Sequence, residues 1–329
     1  MEKEKTLLLE TICLKKYFPV GKSINREKQV YLKAVDGIDL KIYEGEIVGL
    51  VGESGCGKST FGRTLLRLYD VTDGEIFFYP DDITHSNFKQ LKLLRKNMQM
   101  IFQDPFASLN PRMTIYESVR EPLDVHNIGT EEERDKRVRE LLEYVGLGEN
   151  HIFKYPHEMS GGQRQRVVIA RAVILNPKFI VCDEPVSALD VSVRAQVLNL
   201  MKDLKEKQNL SYLFISHDLS VVRYLCDRIA VMYLGKIVEV GTKDELFNNP
   251  KHPYTKALLS AIPIPDVDVK MDKIVLHGDV PSPLNPPKGC RFHTRCPYAT
   301  EACSSYEPVM EHVTQTHDVS CLMWKEIEK

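Results

Sequence analysis

The stretch that decides the fold is Gly52-Glu53-Ser54-Gly55-Cys56-Gly57-Lys58-Ser59-Thr60, which directly follows the apolar run Ile47-Val48-Gly49-Leu50-Val51. The run is short enough for a strand buried on both faces, and the glycine spacing matches the phosphate-loop pattern between a strand and a helix. Glycines let backbone N–H groups converge on phosphate oxygens at a helix N-terminus, while Lys58 supplies a positive charge and Ser59 a ligand for Mg²⁺. The sequence therefore predicts a nucleotide site at Gly52–Thr60.

A second apolar run, Phe179-Ile180-Val181-Cys182, ends in two acids, Asp183 and Glu184. We expect a buried strand whose end presents Asp183 to Mg²⁺, directly or through water, and Glu184 to an attacking water molecule. Paired acids at a strand end can also be helix caps, but the phosphate loop favours the nucleotide-site interpretation.

The remaining pattern predicts an α/β fold. Short strand-like stretches between Leu7 and Ile47 indicate a small antiparallel β region, and buried runs at Phe179–Cys182, Tyr212–Ile215 and Ile229–Tyr233 indicate a parallel sheet core. A helical subdomain is expected at about 108–170, where Thr130 and Glu133 form a capping box and Gly146 ends a helix. We predict one domain at 1–262 and a proline-rich connector with a cysteine-containing C-terminal extension at 263–329.

Four further motifs identify a family. Ser160-Gly161-Gly162-Gln163-Arg164 resembles the signature sequence of ABC transporter ATPases, and it precedes Phe179–Glu184 in the order which that family shows. Gln103 resembles the Q-loop glutamine, Ser187-Ala188-Leu189-Asp190 the D-loop, and His217 the switch histidine. The chain is identified as a member of this family, whose P-loop cassette hydrolyses ATP.

The resemblance implies roles for the matched residues. ATP and Mg²⁺ would bind the phosphate loop, with Gln103 and Asp183 joining Ser59 at the metal, and Glu184 and His217 would be catalytic. Phe18 resembles the aromatic residue that stacks on adenine, although Tyr17 and Tyr31 are alternatives. The signature Ser160–Gln163 would face the γ-phosphate on a second cassette, so that two ATP molecules lie between two subunits arranged head to tail.

Other segments resemble the ATPase subunits of oligopeptide and dipeptide importers, whose relatives include nickel importers. They are Phe102–Thr114, His252–Leu259, and Pro281-Ser282-Pro283 with Gly289–Pro297. This subfamily implies two membrane permease subunits, an extracytoplasmic substrate-binding protein that acts indirectly, and a second ABC ATPase subunit. A heterodimer is favoured and a homodimer is the alternative. We expect peripheral attachment at the cytoplasmic face of the membrane.

Composition narrows the function classes. The 329 residues suggest about two domains, and 44 basic against 46 acidic residues give a formal net charge of −2, which does not favour binding to nucleic acid. A soluble ABC ATPase that acts on ribosomes or DNA is therefore the less favoured alternative. No apolar run approaches the roughly 18–20 residues that span a bilayer, and Met1–Lys5 lacks the apolar core of a signal peptide.

Eight cysteines fall into two groups. Cys13, Cys56, Cys182 and Cys226 are scattered, and we expect them to be small buried hydrophobes. Cys290, Cys296, Cys303 and Cys321 crowd into the C-terminal extension. They suit a [4Fe–4S] cluster, or zinc with His293, His312 or His317, or thiols without metal. The resemblance favours the cluster, because some dipeptide permease ATPases carry one at this position.

Overall fold

A computed structural model describes residues 5–21, 29–262 and 273–327. The chain forms two compact units. The signature unit comprises Met1–Thr6, Tyr43–Glu46 and Ser86–Ile215, and the phosphate-loop unit comprises Leu7–Ile42, Ile47–His85 and Ser216–Lys329. Part of the predicted connector, including Pro263 and Pro265, lies outside the described residues.

Strands and helices alternate along much of the chain. In chain order they are β1 (Leu7–Val20), β2 (Val30–Tyr43), β3 (Ile47–Val51), α1 (Lys58–Leu65), β4 (Asp73–Phe78), β5 (Asp81–Asp82), α2 (Phe88–Leu94), β6 (Met98–Ile101), α3 (Ile115–Val125), α4 (Glu131–Tyr144), α5 (Glu149–Ile152), α6 (Gly161–Val173), β7 (Phe179–Asp183), α7 (Val191–Gln208), β8 (Ser211–Ile215), α8 (Leu219–Leu225), β9 (Arg228–Tyr233), β10 (Lys236–Thr242), α9 (Lys243–Asn248), α10 (Pro253–Ser260), α11 (Glu301–Ser305), β11 (Glu311–His312) and β12 (Asp318–Val319).

The phosphate-loop unit contains two sets of strands. The first has the order β2-β1-β4-β5 with antiparallel β1–β4 and β4–β5 pairs, which confirms the antiparallel region predicted near the N-terminus. The second has the order β11-β12-β10-β9-β3. In it β3 pairs parallel to β9, with Val51 opposite Val231, whereas β9, β10, β12 and β11 pair antiparallel. All five residues of β3 are buried, as its continuous apolar run predicts.

The signature unit has the strand order β8-β7-β6, and both of its strand pairs are parallel. Both β7 and β8 are buried along their whole length. Parallel strands with intervening helices confirm the predicted α/β class. The sequence gives no clear signal for β6, because its two middle residues, Gln99 and Met100, are only half-buried and no continuous apolar run forms.

Helices α3 to α6 occupy the stretch where the sequence predicts a helical subdomain. Thr130 accepts a hydrogen bond from Glu133 N–H at 3.3 Å, and Glu133 Oε2 accepts one from Thr130 N–H at 2.7 Å, which confirms the predicted capping box. Gly146 follows the end of α4 with a φ of +79°, the left-handed conformation that glycine adopts at helix ends. The subdomain boundary and the division at residue 262 stay predictions.

Cys56, Cys182 and Cys226 are buried as expected, but the expectation for Cys13 is wrong, since this residue is exposed on β1. In the described ranges there is no helix with the length and apolar character needed to span a bilayer.

Candidate active site

The phosphate loop joins β3 to α1 in the phosphate-loop unit. Its glycines are required by close backbone contacts as well as by conformation. Gly52 and Gly57 have φ values of +153° and +109°, and a Cβ atom would lie 2.1 Å from Met232 O at Gly52 and 2.0 Å from Ala34 O at Gly57. A side chain at either position would collide with the backbone. The strand, loop and helix predicted from the sequence are therefore present.

Lys58 begins α1 and places its charge on the loop. Its Nζ donates hydrogen bonds to Gly52 O at 2.8 Å and Glu53 O at 2.9 Å, and the residue is 5% exposed. The ammonium group therefore stays close to the loop backbone, where it can pair with phosphate oxygens. Ser59 is the next residue of α1 and is half-buried. Burial raises the pKa of the Cys56 thiol, so Cys56 remains a neutral packing residue.

The signature unit brings three predicted site residues to one edge of its parallel strands. Asp183 ends β7 and is 1% exposed, Glu184 follows it, and Gln103 lies two residues beyond β6. Gln103 Nε2 donates a hydrogen bond to Glu184 Oε2 at 3.1 Å. Because the carboxyl ends of parallel strands share one edge, the topology explains why residues 81 positions apart meet.

Glu184 has an unusual backbone conformation. Its φ is +49°, in the left-handed region, and its N–H donates to Ile215 O at 3.0 Å. A non-glycine residue in this region costs on the order of 1 kcal/mol and often marks a functional site. Glu184 does not cap the helix that follows it, because Asp190 is the N-cap of α7.

The signature motif opens α6. Ser160 is the N-cap, and its hydroxyl accepts from Gln163 N–H at 3.3 Å while Gln163 Oε1 accepts from Ser160 N–H at 2.9 Å. At Gly162 a Cβ atom would lie 2.3 Å from Val193 Cγ1, so glycine is needed where α6 approaches α7. Ser160 is exposed at the positive end of the helix dipole, in a position that suits an anion.

His217 belongs to the phosphate-loop unit. It is exposed and follows Ser216, whose N–H donates to Leu50 O at 3.2 Å beside the end of β3. Asp218 caps α8 by accepting from Ser220 N–H at 3.0 Å. His217 thus lies between a residue that contacts β3 and a capped helix.

The three aromatic residues that could stack on adenine, Phe18, Tyr17 and Tyr31, have different surroundings. The Phe18 ring is half-buried, contacts the Tyr69 ring edge at a centroid distance of 5.4 Å and lies 4.9 Å from Lys16 Nζ. The Tyr17 hydroxyl donates to Asp36, and Tyr31 is 43% exposed. The role of Phe18 in stacking stays a prediction.

The four cysteines of the extension lie near one another. Cys290 N–H donates to Cys303 O at 2.8 Å. Burial, together with the nearby thiols of Cys290, Cys296 and Cys303, raises the pKa of Cys321 to about 12. None of the four forms a disulfide in the described chain.

The geometry shows no formed metal site at the four cysteines of the extension. Across the described ranges no group of three or more His, Cys, Asp or Glu side chains is arranged to hold a metal ion. The histidines considered for zinc have protein partners instead: His293 Nδ1 contacts Cys290 O at 2.7 Å, His317 Nε2 contacts Glu239 at 2.8 Å, and His312 contacts Asp318. In the described chain the four thiols are likewise not arranged as the ligands of an iron–sulfur cluster.

Two residues far along the chain from the phosphate loop contact its Glu53. Arg295 and Tyr254 both bond to Glu53, and Arg295 lies 242 positions further along the chain. No local pattern signals a pairing at this separation. A phosphate-binding loop in one unit, with paired acids and a serine-capped glycine helix in the other, defines the class of the protein as a P-loop ATPase.

Comparisons with known proteins identify the family. Residues 35–187 match the ABC transporter family, and residues 238–303 match the C-terminal region of oligopeptide/dipeptide transporters. The chain is 54% identical to the oligopeptide transport ATP-binding protein AppF of Bacillus subtilis, with 96% of this chain and 97% of that protein covered. It is 51% identical to the oligopeptide transport ATP-binding protein OppF of Salmonella typhimurium, with 97% of each covered.

Solved structures agree with this assignment. The dimeric structure of MJ0796, a bacterial ABC transporter cassette, has a TM-score of 0.65 at 30% identity, covering 72% of this chain and 99% of that chain. A post-hydrolysis state of the same cassette bound to ADP and Pi gives a TM-score of 0.64. The chain belongs to the ABC transporter family and is one of its ATPases.

Proposed function

We propose that this chain is the ATP-hydrolysing subunit that powers import of dipeptides or oligopeptides through a membrane ABC transporter. The observation that carries the proposal is the similarity, over nearly the whole chain, to proteins named for oligopeptide transport. It extends to the C-terminal region at 238–303, outside the segment that matches the ABC transporter family in general.

In the proposed reaction, ATP binds to Gly52–Thr60 with Lys58 at its outer phosphates. Mg²⁺ would be held by Ser59, Asp183 and Gln103, and it would neutralise phosphate charge. The donor set suits this hard cation, since a hydroxyl, a carboxylate and an amide provide oxygen. Gln103 turns its Nε2 toward Glu184, which leaves Oε1 as its ligand atom.

Glu184 would accept a proton from the attacking water molecule and hold that water in line with the γ-phosphorus. The hydrogen bond from Gln103 supports this role, because it holds the carboxylate in one orientation. His217 would contact the γ-phosphate and stabilise the charge that develops on it.

A second cassette is needed to complete each site. Ser160 and the first turn of α6 offer backbone N–H groups to an anion, and we propose that this anion is the γ-phosphate bound to the partner's phosphate loop. A different ABC ATPase is the favoured partner, and a second copy of this chain is the alternative. ATP binding closes the pair and hydrolysis reopens it.

We propose that the pair works at the cytoplasmic face of the membrane with two permease subunits, and receives substrate indirectly from an extracytoplasmic binding protein. Phe102 and Phe106, which flank Gln103, are 38% and 48% exposed. Exposed aromatic side chains beside the Q-loop suit a permease contact that transmits the motion. Nucleic acid is not an expected partner.

We further propose that Cys290, Cys296, Cys303 and Cys321 hold a [4Fe–4S] cluster with a structural role. In donor chemistry the residues fit, since four neighbouring thiols supply the four ligands of such a cluster. The four thiols are not arranged as a formed metal site, so they would have to move closer together to bind the cluster. Anaerobic purification should give protein with absorbance near 400 nm and stoichiometric iron and sulfide. Colourless protein with stoichiometric zinc would contradict the proposal.

The transport function is tested in proteoliposomes that contain this chain, its permease subunits and its companion ATPase. ATP should drive uptake of labelled peptide supplied on its binding protein, and E184Q should abolish uptake. E206Q removes a carboxylate from an exposed residue on α7 and is the matched control that should retain uptake. ATP-dependent uptake of Ni²⁺ without peptide uptake, or sedimentation of the chain with ribosomes at low salt, would contradict peptide import.

A further inference from the structure

The phosphate loop is held by side chains from the C-terminal part of the same unit. Arg295 Nη1 and Nη2 donate to Glu53 Oε2 and Oε1 at 2.8 and 3.1 Å. The Tyr254 hydroxyl accepts a hydrogen bond from Glu53 N–H at 2.8 Å. Both the carboxylate and the backbone of the residue that follows Gly52 are therefore fixed by residues outside the loop motif.

An aromatic cluster fixes the two side chains that hold Glu53. Tyr254 is fully buried, and its ring centroid lies 4.8 Å from that of Tyr233 and 5.3 Å from that of Phe292. The Arg295 guanidinium lies 6.0 Å from the Tyr233 ring centroid, and its side chain is 9% exposed. Packing of this kind limits the rotamers of both side chains, so their contacts with Glu53 are preorganised.

The position of Glu53 matters for the loop that carries it. Its carbonyl oxygen accepts from Lys58 Nζ at 2.9 Å and from Cys56 N–H at 3.3 Å. Its carboxylate belongs to a loop whose ligand is a polyanion, and like charges in a partly buried site repel. The two parallel hydrogen bonds from Arg295 balance this charge and fix the direction of the carboxylate.

We infer that Arg295 is a positioning residue for ATP binding. It orients the Glu53 carboxylate and neutralises its charge. The phosphate loop then presents Lys58 and the backbone N–H groups of the loop to the phosphates without repulsion from Glu53. The C-terminal region thus supplies a part of the nucleotide site that the loop motif lacks. The inference rests on the part of the proposed function that concerns ATP binding, and it does not depend on which substrate is transported.

The test measures the dissociation constant of a fluorescent, non-hydrolysable ATP analogue with Mg²⁺ for the full chain. R295M keeps the aliphatic stem and removes the charge, and it should weaken binding about tenfold, equivalent to about 1.4 kcal/mol. R295K keeps the charge without the two-pronged geometry and should weaken binding about threefold. In an E53Q background, where no charge needs to be balanced, adding R295M should weaken binding about twofold or less.

The control is R139M. Arg139 Nη1 donates to both carboxylate oxygens of Glu149, at 2.8 and 3.0 Å, and Arg139 Nε donates to Asp135, but these contacts lie in the signature unit. R139M should leave the dissociation constant within about twofold of wild type.

An equal loss from R295M in the wild-type and E53Q backgrounds would overturn the inference, because Arg295 would then act through the folding of the C-terminal region. Binding by R295M that matches wild type would overturn it as well. If R295M does not fold, the comparison of R295K with R295K/E53Q carries the same test. Tight analogue binding by a chain that supports no peptide uptake would contradict the proposed function and leave this inference intact.

Discussion

Substituting alanine for single glycines of the phosphate loop tests whether its shape is set by backbone contacts. Gly55 and Gly57 both have a positive φ, +78° and +109°. They differ in their surroundings, because a Cβ atom at Gly55 meets nothing within 4 Å, whereas one at Gly57 lies 2.0 Å from Ala34 O. The two positions therefore form a matched pair that separates conformational strain from steric collision.

Conformational strain and steric collision set the expected loss of stability in each variant. Alanine in the left-handed region costs about 1 kcal/mol, which is the whole expected effect of G55A. Displacing the Ala34 backbone adds an overpacking cost, which brings the expected total for G57A to about 3 kcal/mol. At about 2–4 °C of Tm per kcal/mol, G57A should unfold roughly 6–12 °C below wild type and G55A about 2–4 °C below.

The assay is thermal unfolding by calorimetry without nucleotide, so that a clash with bound phosphate does not enter. Chemical denaturation of the same three proteins gives an independent free energy of unfolding. An equal loss of stability in the two variants, or a G57A protein as stable as wild type, would refute the reasoning that the Ala34 contact makes Gly57 necessary.

Three further outcomes are expected. E184Q should retain ATP binding while steady-state turnover collapses, since it keeps the shape of Glu184 and removes the base. Burial lowers the pKa of His252 from about 6.5 to about 4, so the unfolded chain binds a proton in that window and the native chain does not. Stability should therefore fall by about 3 kcal/mol as pH drops from 6.5 to 4, and H252N should flatten this slope in denaturant titrations. T130A and S160A each remove a helix N-cap at a cost of about 1 kcal/mol, but only S160A should also reduce ATP hydrolysis.

Each of these expectations has a contrary result. Unchanged turnover in E184Q would remove Glu184 from its proposed role. An H252N protein with the acid sensitivity of wild type would show that other groups cause the slope between pH 6.5 and 4. Equal ATPase rates in S160A and T130A would argue that Ser160 does no more than cap α6.

The part of the site that could be predicted from the sequence is local. The buried runs of β3 and β7 are continuous apolar segments, and the loop at Gly52–Thr60 has fixed spacing, so neighbouring residues carry the whole signal. The same holds for the capping boxes at Thr130 and Ser160, where the two interacting side chains are three residues apart.

What could not be predicted depends on tertiary contact. The pairing of Arg295 with Glu53 spans 242 positions and leaves no periodic trace. The positive φ of Glu184 is imposed by its surroundings, since no residue beside it demands that conformation. The arrangement of the four cysteines in the C-terminal extension could not be predicted for a related reason, because cysteine spacing along a chain does not determine how far apart the thiols lie in space.

Two cassettes are proposed to share each ATP molecule. The most direct measurement is the rate of ATP hydrolysis per chain as a function of protein concentration, with this chain alone and with its companion ATPase, while light scattering reports the oligomeric state. The rate per chain should rise with concentration, or appear only when the companion is added, in step with the formation of dimers. A constant rate per chain from protein that remains monomeric throughout would contradict the account.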